Sequence, residues 1–274
     1  MKKLFALLTA ALLIMTVFAG CGGAADTSSD SADTAKSDLE YIKDKGTLIV
    51  GITDYEPMDF EVDGKWTGFD AELARLVGEE LGVEVKFQLI DWKLKETELA
   101  GKTIDCIWNG LTWDEERAEN MSLSDWYMKN KQAVVINASN KDKFDTAEKL
   151  AKATIAAESG SAGEDFINAN FKDATYIEKD NQIGALSELL GKTSDAAVID
   201  YIMANYLINK EGSSYSSLMI VEDAVEAAEE YYSIAFRKGS DVTAKVNELL
   251  KSFKADGTLK TLADEYGLAN ALVD

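Results

Sequence analysis

The chain has 274 residues and a formal net charge of −21, with no histidine and two cysteines. Such an acidic balance argues against nucleic acid as a partner and against electrostatic adhesion to anionic lipid. The absence of histidine excludes a Ser/His/Asp or Cys/His hydrolase and any zinc site built on imidazole. Lys2-Lys3 followed by the apolar run Leu4 to Phe18 reads as a targeting signal over residues 1–20. Removing it with its two lysines takes the net charge from −21 to −23. Residues 21–37, rich in Gly, Ala, Ser, Thr and Asp, show no apolar periodicity and read as a flexible tether reaching roughly 20 Å. The remainder, from Asp38, is long enough for two lobes with cores of their own. It has no second apolar run long enough to span a bilayer.

Strand-like and helix-like runs then alternate. Thr47 to Ile52 is a strand pattern, and Phe69, Leu73, Leu76, Val77 and Leu81 mark an amphipathic helix. Glu84 to Ile90 alternates as a strand, and a helix is expected from about Lys93 to Ala100. A second unit begins near Asp145, where Asp145-Thr146-Ala147-Glu148 reads as a capping box. Strands are expected at Thr154 to Ala157, Thr175 to Ile177 and Ala196 to Ile199. Helices are expected after Ser161, another capping box with Glu164, and over Ile183 to Leu190 and Tyr201 to Asn209. Tyr231 to Phe236 reads as a strand and Val242 to Phe253 as an amphipathic helix. The alternation implies an α/β fold with mainly parallel sheet. Two β-rich segments, Gln132 to Asn137 and Tyr231 to Arg237, flank the middle unit and are candidate crossings between lobes.

The most informative stretch is Thr103 to Arg117. Thr103 to Ile107 reads as a buried strand, Asn109-Gly110 as a turn, and Asp114 as the N-cap of a helix that begins Glu115-Glu116-Arg117. Arg117 lies in the first helical turn, where the dipole favours acids. A cation there makes sense opposite an anion, and a guanidinium beside a helix start suits a carboxylate. Cys106, inside the strand pattern, reads as a small buried hydrophobe.

Several ordered motifs carry a resemblance. They are Gly46 to Gly51, Tyr55-Glu56-Pro57, Gly68-Phe69-Asp70, Gly110-Leu111-Thr112 with Arg117, Ser122 to Asp125, Gly160-Ser161, Asp195 to Asp200 and Ala255 to Thr258. In order and spacing they resemble the bacterial extracellular solute-binding proteins of the amino-acid type, the substrate receptors of ABC importers. The likeness runs from about Gly46 to Gly267. Phe18-Ala19-Gly20-Cys21 resembles the lipobox of bacterial lipoproteins. That implies cleavage before Cys21, lipidation of its thiol and anchoring to the outer face of the cell membrane. Cys106 is then left without a disulfide partner.

The resemblance implies a two-lobed, periplasmic-binding-protein-like clamshell. Lobe 1 is expected at 38–135 plus 235–274 and lobe 2 at 136–234, joined by two hinge strands. It implies that Arg117 clamps the ligand α-carboxylate; the alternative is a surface pair with Asp114. Thr112 is expected to offer its N–H to that carboxylate and its hydroxyl to the α-ammonium. Gly110 allows close backbone approach. Ser161 is expected to add an N–H from the other lobe, and Asp200, at a strand's C-terminal end, to take the ammonium. Tyr55 and Trp92 match positions that sandwich the ligand side chain. Asn109 and Trp113 are expected to help select that side chain, whereas Trp108 reads as core. Glu158, if it faces the ligand, favours a cationic or amide-bearing amino acid. No metal or cofactor is implied.

The expected function is capture of a free L-amino acid, polar or cationic, and its delivery to a membrane ABC permease, by a monomer that is not an enzyme. Two rivals share the fold, an enzyme such as a cyclic-acid dehydratase and a ligand-sensing or adhesion lipoprotein without a transport role. A metal receptor is disfavoured by the lack of histidine.

Overall fold

The structure is a computed structural model that describes residues 36–222 and 224–274. The expected signal, the lipidation site at Cys21 and nearly all of the tether lie outside the described residues. Ser37, placed at the end of the tether, is the N-cap of the first helix. In chain order the first lobe contains α1 (Asp38–Lys45), β1 (Thr47–Ile52), the hairpin β2 (Phe60–Val62) and β3 (Lys65–Thr67), and α2 (Phe69–Leu81). It continues with β4 (Glu84–Leu89), α3 (Lys95–Ala100), β5 (Cys106–Thr112), α4 (Glu115–Asn120), β6 (Met121–Leu123) and β7 (Met128–Asn130). The second lobe contains β8 (Gln132–Asn137), α5 (Lys141–Phe144), α6 (Ala147–Leu150), β9 (Thr154–Glu158) and α7 (Ala162–Asn170). It ends with β10 (Thr175–Lys179), α8 (Gln182–Leu190), β11 (Ala196–Asp200), α9 (Tyr201–Asn209) and β12 (Leu218–Ile220). The chain then returns to the first lobe with β13 (Glu230–Arg237), α10 (Val242–Ala255) and α11 (Thr258–Glu265).

Each lobe is built on one sheet. The first has the strand order β4-β1-β5-β13-β6, with β7 also on β13; the second has the order β10-β9-β11-β8-β12. The parallel part is β4-β1-β5 in one and β10-β9-β11 in the other. Strands β8 and β13 add antiparallel pairs beside it. Helix–strand alternation carries no signal for these antiparallel additions, because they belong to the segments that pass between lobes.

Those segments differ from expectation. Gln132–Asn137 is not itself a crossing: it pairs along its length with β11 and β12 inside the second sheet. Tyr231–Arg237 likewise pairs inside the first sheet, with β5, β6 and β7. The chain passes between sheets at Lys131, the single residue between β7 and β8, and returns between Ile220 and Glu230. Sheet pairing therefore puts residues 132–135 with the second lobe and 230–234 with the first. Strand length alone does not reveal which sheet supplies the partners.

Local chemistry explains the helices that frame the cleft. In α2, Phe69, Leu73, Val77 and Leu81 are buried at a spacing of four, while Leu76 is half-buried. Asp114 caps α4 by accepting from the Arg117 N–H at 2.7 Å. Thr146, not Asp145, caps α6. Asn109-Gly110 is not a turn. Strand β5 runs on through both residues to Thr112, held by β13 on its far side, and the register shifts between Ser233 and Ala235. Gly110 sits at that irregularity with a φ of 58°, as in a β-bulge that re-aims the strand end. A Cβ there would lie 2.6 Å from the Tyr55 ring and 3.1 Å from the Tyr232 ring.

Gly110→Ala is therefore expected to combine left-handed backbone strain with overpacking, a loss of roughly 2 kcal/mol or more. Thermal unfolding is expected to show a Tm lower by about 4–8 °C; an unchanged Tm would contradict this account of the bulge.

Candidate functional site

Both parallel sheets end on the same space. Asn109, Gly110 and Thr112 lie at the C-terminal end of β5, Glu158 at that of β9 and Asp200 at that of β11, the usual location of ligand sites in open α/β sheets. Together with Trp92, Arg117 and Ser161 they line a narrow cavity between the lobes. Eight of the ten residues expected at the site thus meet there, all but Tyr55 and Trp113. The cleft is shut. Lys95 of α3 donates to the Gly160 carbonyl of the second lobe at 2.8 Å, and Lys93 pairs with Glu178 across the rim at 2.7 Å.

Arg117 is 7% exposed. One guanidinium nitrogen, Nη1, donates to the Thr112 carbonyl at 2.6 Å and pairs with Asp114 at 2.8 Å. The other, Nη2, has Asp165 of the second lobe only at 4.0 Å. The local pair with Asp114 is real, and it occupies one edge of the guanidinium while the rest stays in the cavity. Across the cavity, Ser161 caps α7, its hydroxyl accepting from Gly163 and Glu164 and donating to the Glu158 carbonyl. Glu164 reaches back to the Gly160 N–H at 2.6 Å, one residue before the position expected in a capping box. That leaves the Ser161 N–H outside the box.

Asp200 precedes α9 but makes no capping bond. Its carboxylate accepts from Asn130 at 2.6 Å, from Gln132 at 2.8 Å and from Gln182. Burial raises its pKa above the ordinary value, and those amides hold it down. Glu230, at the start of β13, accepts from Gln132 at 2.9 Å, Thr112 Oγ1 at 3.2 Å and Asn130 at 3.3 Å. Burial and the nearby Asp200 push it up to about 7. Glu158 is 2% exposed, its Oε1 has no hydrogen-bond partner, and burial followed by Asp200 raises its pKa well above the carboxylate range. Burial and Arg117 bring Lys95 down to about 8.

Two expected residues, Tyr55 and Trp113, lie outside the cavity lining, and Asn109 reaches it with its polar group already committed. The Asn109 amide is fully used, by Thr53 N–H, hydroxyl and carbonyl and by Asp59 at 2.7 Å, so it holds the end of β1 to β5. Tyr55 does not line the cavity. It is buried under Gly110, and its hydroxyl meets that of Tyr232 at 2.5 Å. Trp113 also lies away from the cavity lining, edge-on to Trp126, which stacks on Tyr231 with centroids 4.2 Å apart. Trp108 and Cys106 are core. Beneath the site, Asp70 accepts from the Gly110 N–H at 2.7 Å and from Tyr127 at 2.9 Å; burial lifts it to about 7. Sequence reasoning missed Asn130, Gln132, Gln182 and Glu230. Three are neutral amides, and none stands in a motif.

The geometry offers a buried guanidinium on one lobe and a buried carboxylate opposite it on the other. Residues 48–269 match the family model of bacterial extracellular solute-binding proteins, family 3. The chain belongs to this family. It is 27% identical to the L-cystine-binding protein TcyJ of Escherichia coli (strain K12), over 83% of this chain and 85% of that protein. To the arginine-binding extracellular protein ArtP of Bacillus subtilis (strain 168) it is 29% identical, over 97% and 98%. Among solved structures, the ancestral amino acid-binding protein AncCDT-1, a precursor of cyclohexadienyl dehydratase, superposes with a TM-score of 0.75 at 30% identity, covering 84% of this chain and 99% of that one. These three relatives are binding proteins. Family members are extracellular by description, and no helix among the described residues is long and apolar enough to cross a membrane.

The buried acids set a pH dependence. Glu230 and Asp70, both near 7 in the folded chain, have unfolded values of about 4. The folded state therefore binds more protons between about pH 4 and 7, and stability falls as pH rises through that window. Thermal unfolding is expected to give a lower Tm at pH 7.5 than at pH 5.5, with a shallower decline in Glu230→Gln. An unaltered slope in that variant would remove Glu230 from the account.

Proposed function

We propose that this protein is the substrate receptor of an ABC importer, capturing a free L-amino acid with a polar or cationic side chain between its lobes and handing it to a membrane permease without altering it chemically. The observation that carries this reading is the opposition of Arg117 and Asp200 across one buried cavity. Arg117 has the charge and the free donors for an α-carboxylate, joined by the N–H groups of Thr112 and Ser161. Asp200 supplies the matching charge for an α-ammonium, with Gly110 giving close backbone approach and Trp92 an apolar wall. The two halves of the clamp stand on different lobes, so a zwitterion binds both only when the cleft is shut. Ligand then favours the closed state by its differential affinity for it, and the shut lobes form the surface a permease reads. Asn109 and Tyr55 support the site from behind, and no step calls for a cofactor or metal.

A thermal-shift screen of the twenty amino acids tests the reading, since ligand at about 100 times Kd adds about 2.7 kcal/mol. Arg117→Ala is expected to keep its fold and to lose at least about 100-fold in affinity by calorimetry. Undiminished affinity in that variant would refute the clamp.

The proposal extends to a lipid anchor on Cys21, the lone Cys at the end of the signal's apolar run. Two or more acyl chains hold a protein stably at a bilayer. Cys21→Ser is expected to abolish labelling by radioactive palmitate and to release the protein from washed membranes; retention of both would exclude the anchor.

A further inference from the structure

Glu158 is the acid of the cavity lining that the protein satisfies least, with Lys95 and the Thr53 hydroxyl the groups that favour its charged form. It ends β9, beside the end of β11 through the Ala156–Ala197 register, and is 2% exposed. Its Oε1 has no partner among the described residues. The polar groups around it are committed elsewhere. Asn109 is saturated by Thr53 and Asp59, and Asp200 holds three amides. The Lys95 ammonium is taken by the carbonyls of Gly160 at 2.8 Å and Trp92 at 3.2 Å, and lies 5.0 Å from the Trp92 ring centroid.

The charges lead to the same point. The cavity and its immediate surround hold the buried acids Glu158, Asp200 and Glu230 and the cations Arg117 and Lys95, and Arg117 is already paired with Asp114. A zwitterion clamped between Arg117 and Asp200 leaves Glu158 Oε1 without a donor. A ligand carrying an amide supplies N–H donors to Glu158 but no charge, and a ligand carrying an acid adds repulsion. A buried carboxylate without a counter-charge is strongly disfavoured. A second positive charge on the ligand favours the ionised form of Glu158 and gives Oε1 the donor it lacks.

We propose that Glu158 is the specificity-determining residue and that the ligand is an α-amino acid whose side chain ends in an amine or a guanidinium. This rests on the zwitterion clamp proposed above. Glu158 reads the far end of the ligand, Arg117 and Asp200 its α-groups, and Trp92 lies along the aliphatic or guanidinium part between.

The test is calorimetric titration of L-arginine, L-lysine, L-glutamine and L-glutamate into the wild-type protein, Glu158→Gln and Arg117→Ala. Wild type is expected to bind arginine or lysine at least 100-fold more tightly than glutamine. Glu158→Gln is expected to shrink that preference at least 30-fold, mainly by weakening the cationic ligand, with a Tm no lower than wild type because it keeps the shape and replaces a buried carboxyl that the protein leaves partly unpartnered. Wild type that prefers glutamine, with binding abolished by Arg117→Ala, would overturn the side-chain assignment while leaving the clamp standing. A Glu158→Gln protein that weakens all amino acids equally would place Glu158 on the α-ammonium and also overturn it. Binding of none of the twenty amino acids to wild type would remove the clamp and the assignment together.

Discussion

The carboxylate of Asp200 ties the cavity to the passage between the lobes. It accepts hydrogen bonds from Asn130 and Gln132, which flank Lys131, the residue where the chain leaves one sheet for the other. The same two amides donate to Glu230 on the returning strand. A buried carboxylate must keep its donors or lose its charge. The forward crossing, the return strand and the acid of the cavity are therefore held in one network, and displacing one lobe against the other disturbs the donors around Asp200. A separate network lies beneath the cavity on the first lobe, where Asp70 fixes the Gly110 N–H and Asn109 binds both Thr53 and Asp59.

The contacts that hold the cleft shut differ greatly in worth. Lys93–Glu178 and Lys210–Glu56 join the lobes at the rim through largely exposed lysines, and such pairs contribute little in water. Lys95 is different. It is 5% exposed and reaches the Gly160 carbonyl from the opposite lobe, in surroundings where a hydrogen bond from an ammonium is strong. Inside, the cavity keeps Arg117, Asp200 and Glu158 at 7%, 6% and 2% exposure. Ionisable groups held out of water in this way are costly for the protein alone and valuable toward a charged partner that fits. A narrow polar cavity can thus gain its selectivity from electrostatics.

Much of the scaffold is legible locally. The four-residue spacing of Phe69, Leu73, Val77 and Leu81 marks α2 because one helix face meets one sheet. Asp114 and Ser161 announce α4 and α7 because a cap acts on the next few N–H groups. Helix α9 begins after Asp200, yet nothing local says that Asp200 declines the cap; amides from β7, β8 and α8 decide that. Tyr55 is legible as an aromatic beside the site, but its hydroxyl is taken by Tyr232, 177 residues further on. Asn109-Gly110 carries the chemistry of a turn, and β13, more than a hundred residues later, turns it into a bulge within a continuous strand. Asn130, Gln132 and Gln182 leave no trace in sequence, since an amide has neither a periodicity nor a charge to mark it.

The sequence by itself determined the alternation of helices and strands, the caps, the guanidinium in the first turn of α4 and the family to which those motifs belong. These follow from interactions within a few residues or from motif order along the chain. Only the tertiary structure decided which sheet receives Gln132–Asn137 and Glu230–Arg237, which residues surround Asp200, and that Glu158 lines the cavity with one carboxylate oxygen unpartnered among the described residues. Those outcomes depend on pairings between residues tens to hundreds of positions apart, and on burial, which turns an ordinary surface acid into a charge that requires a counter-charge.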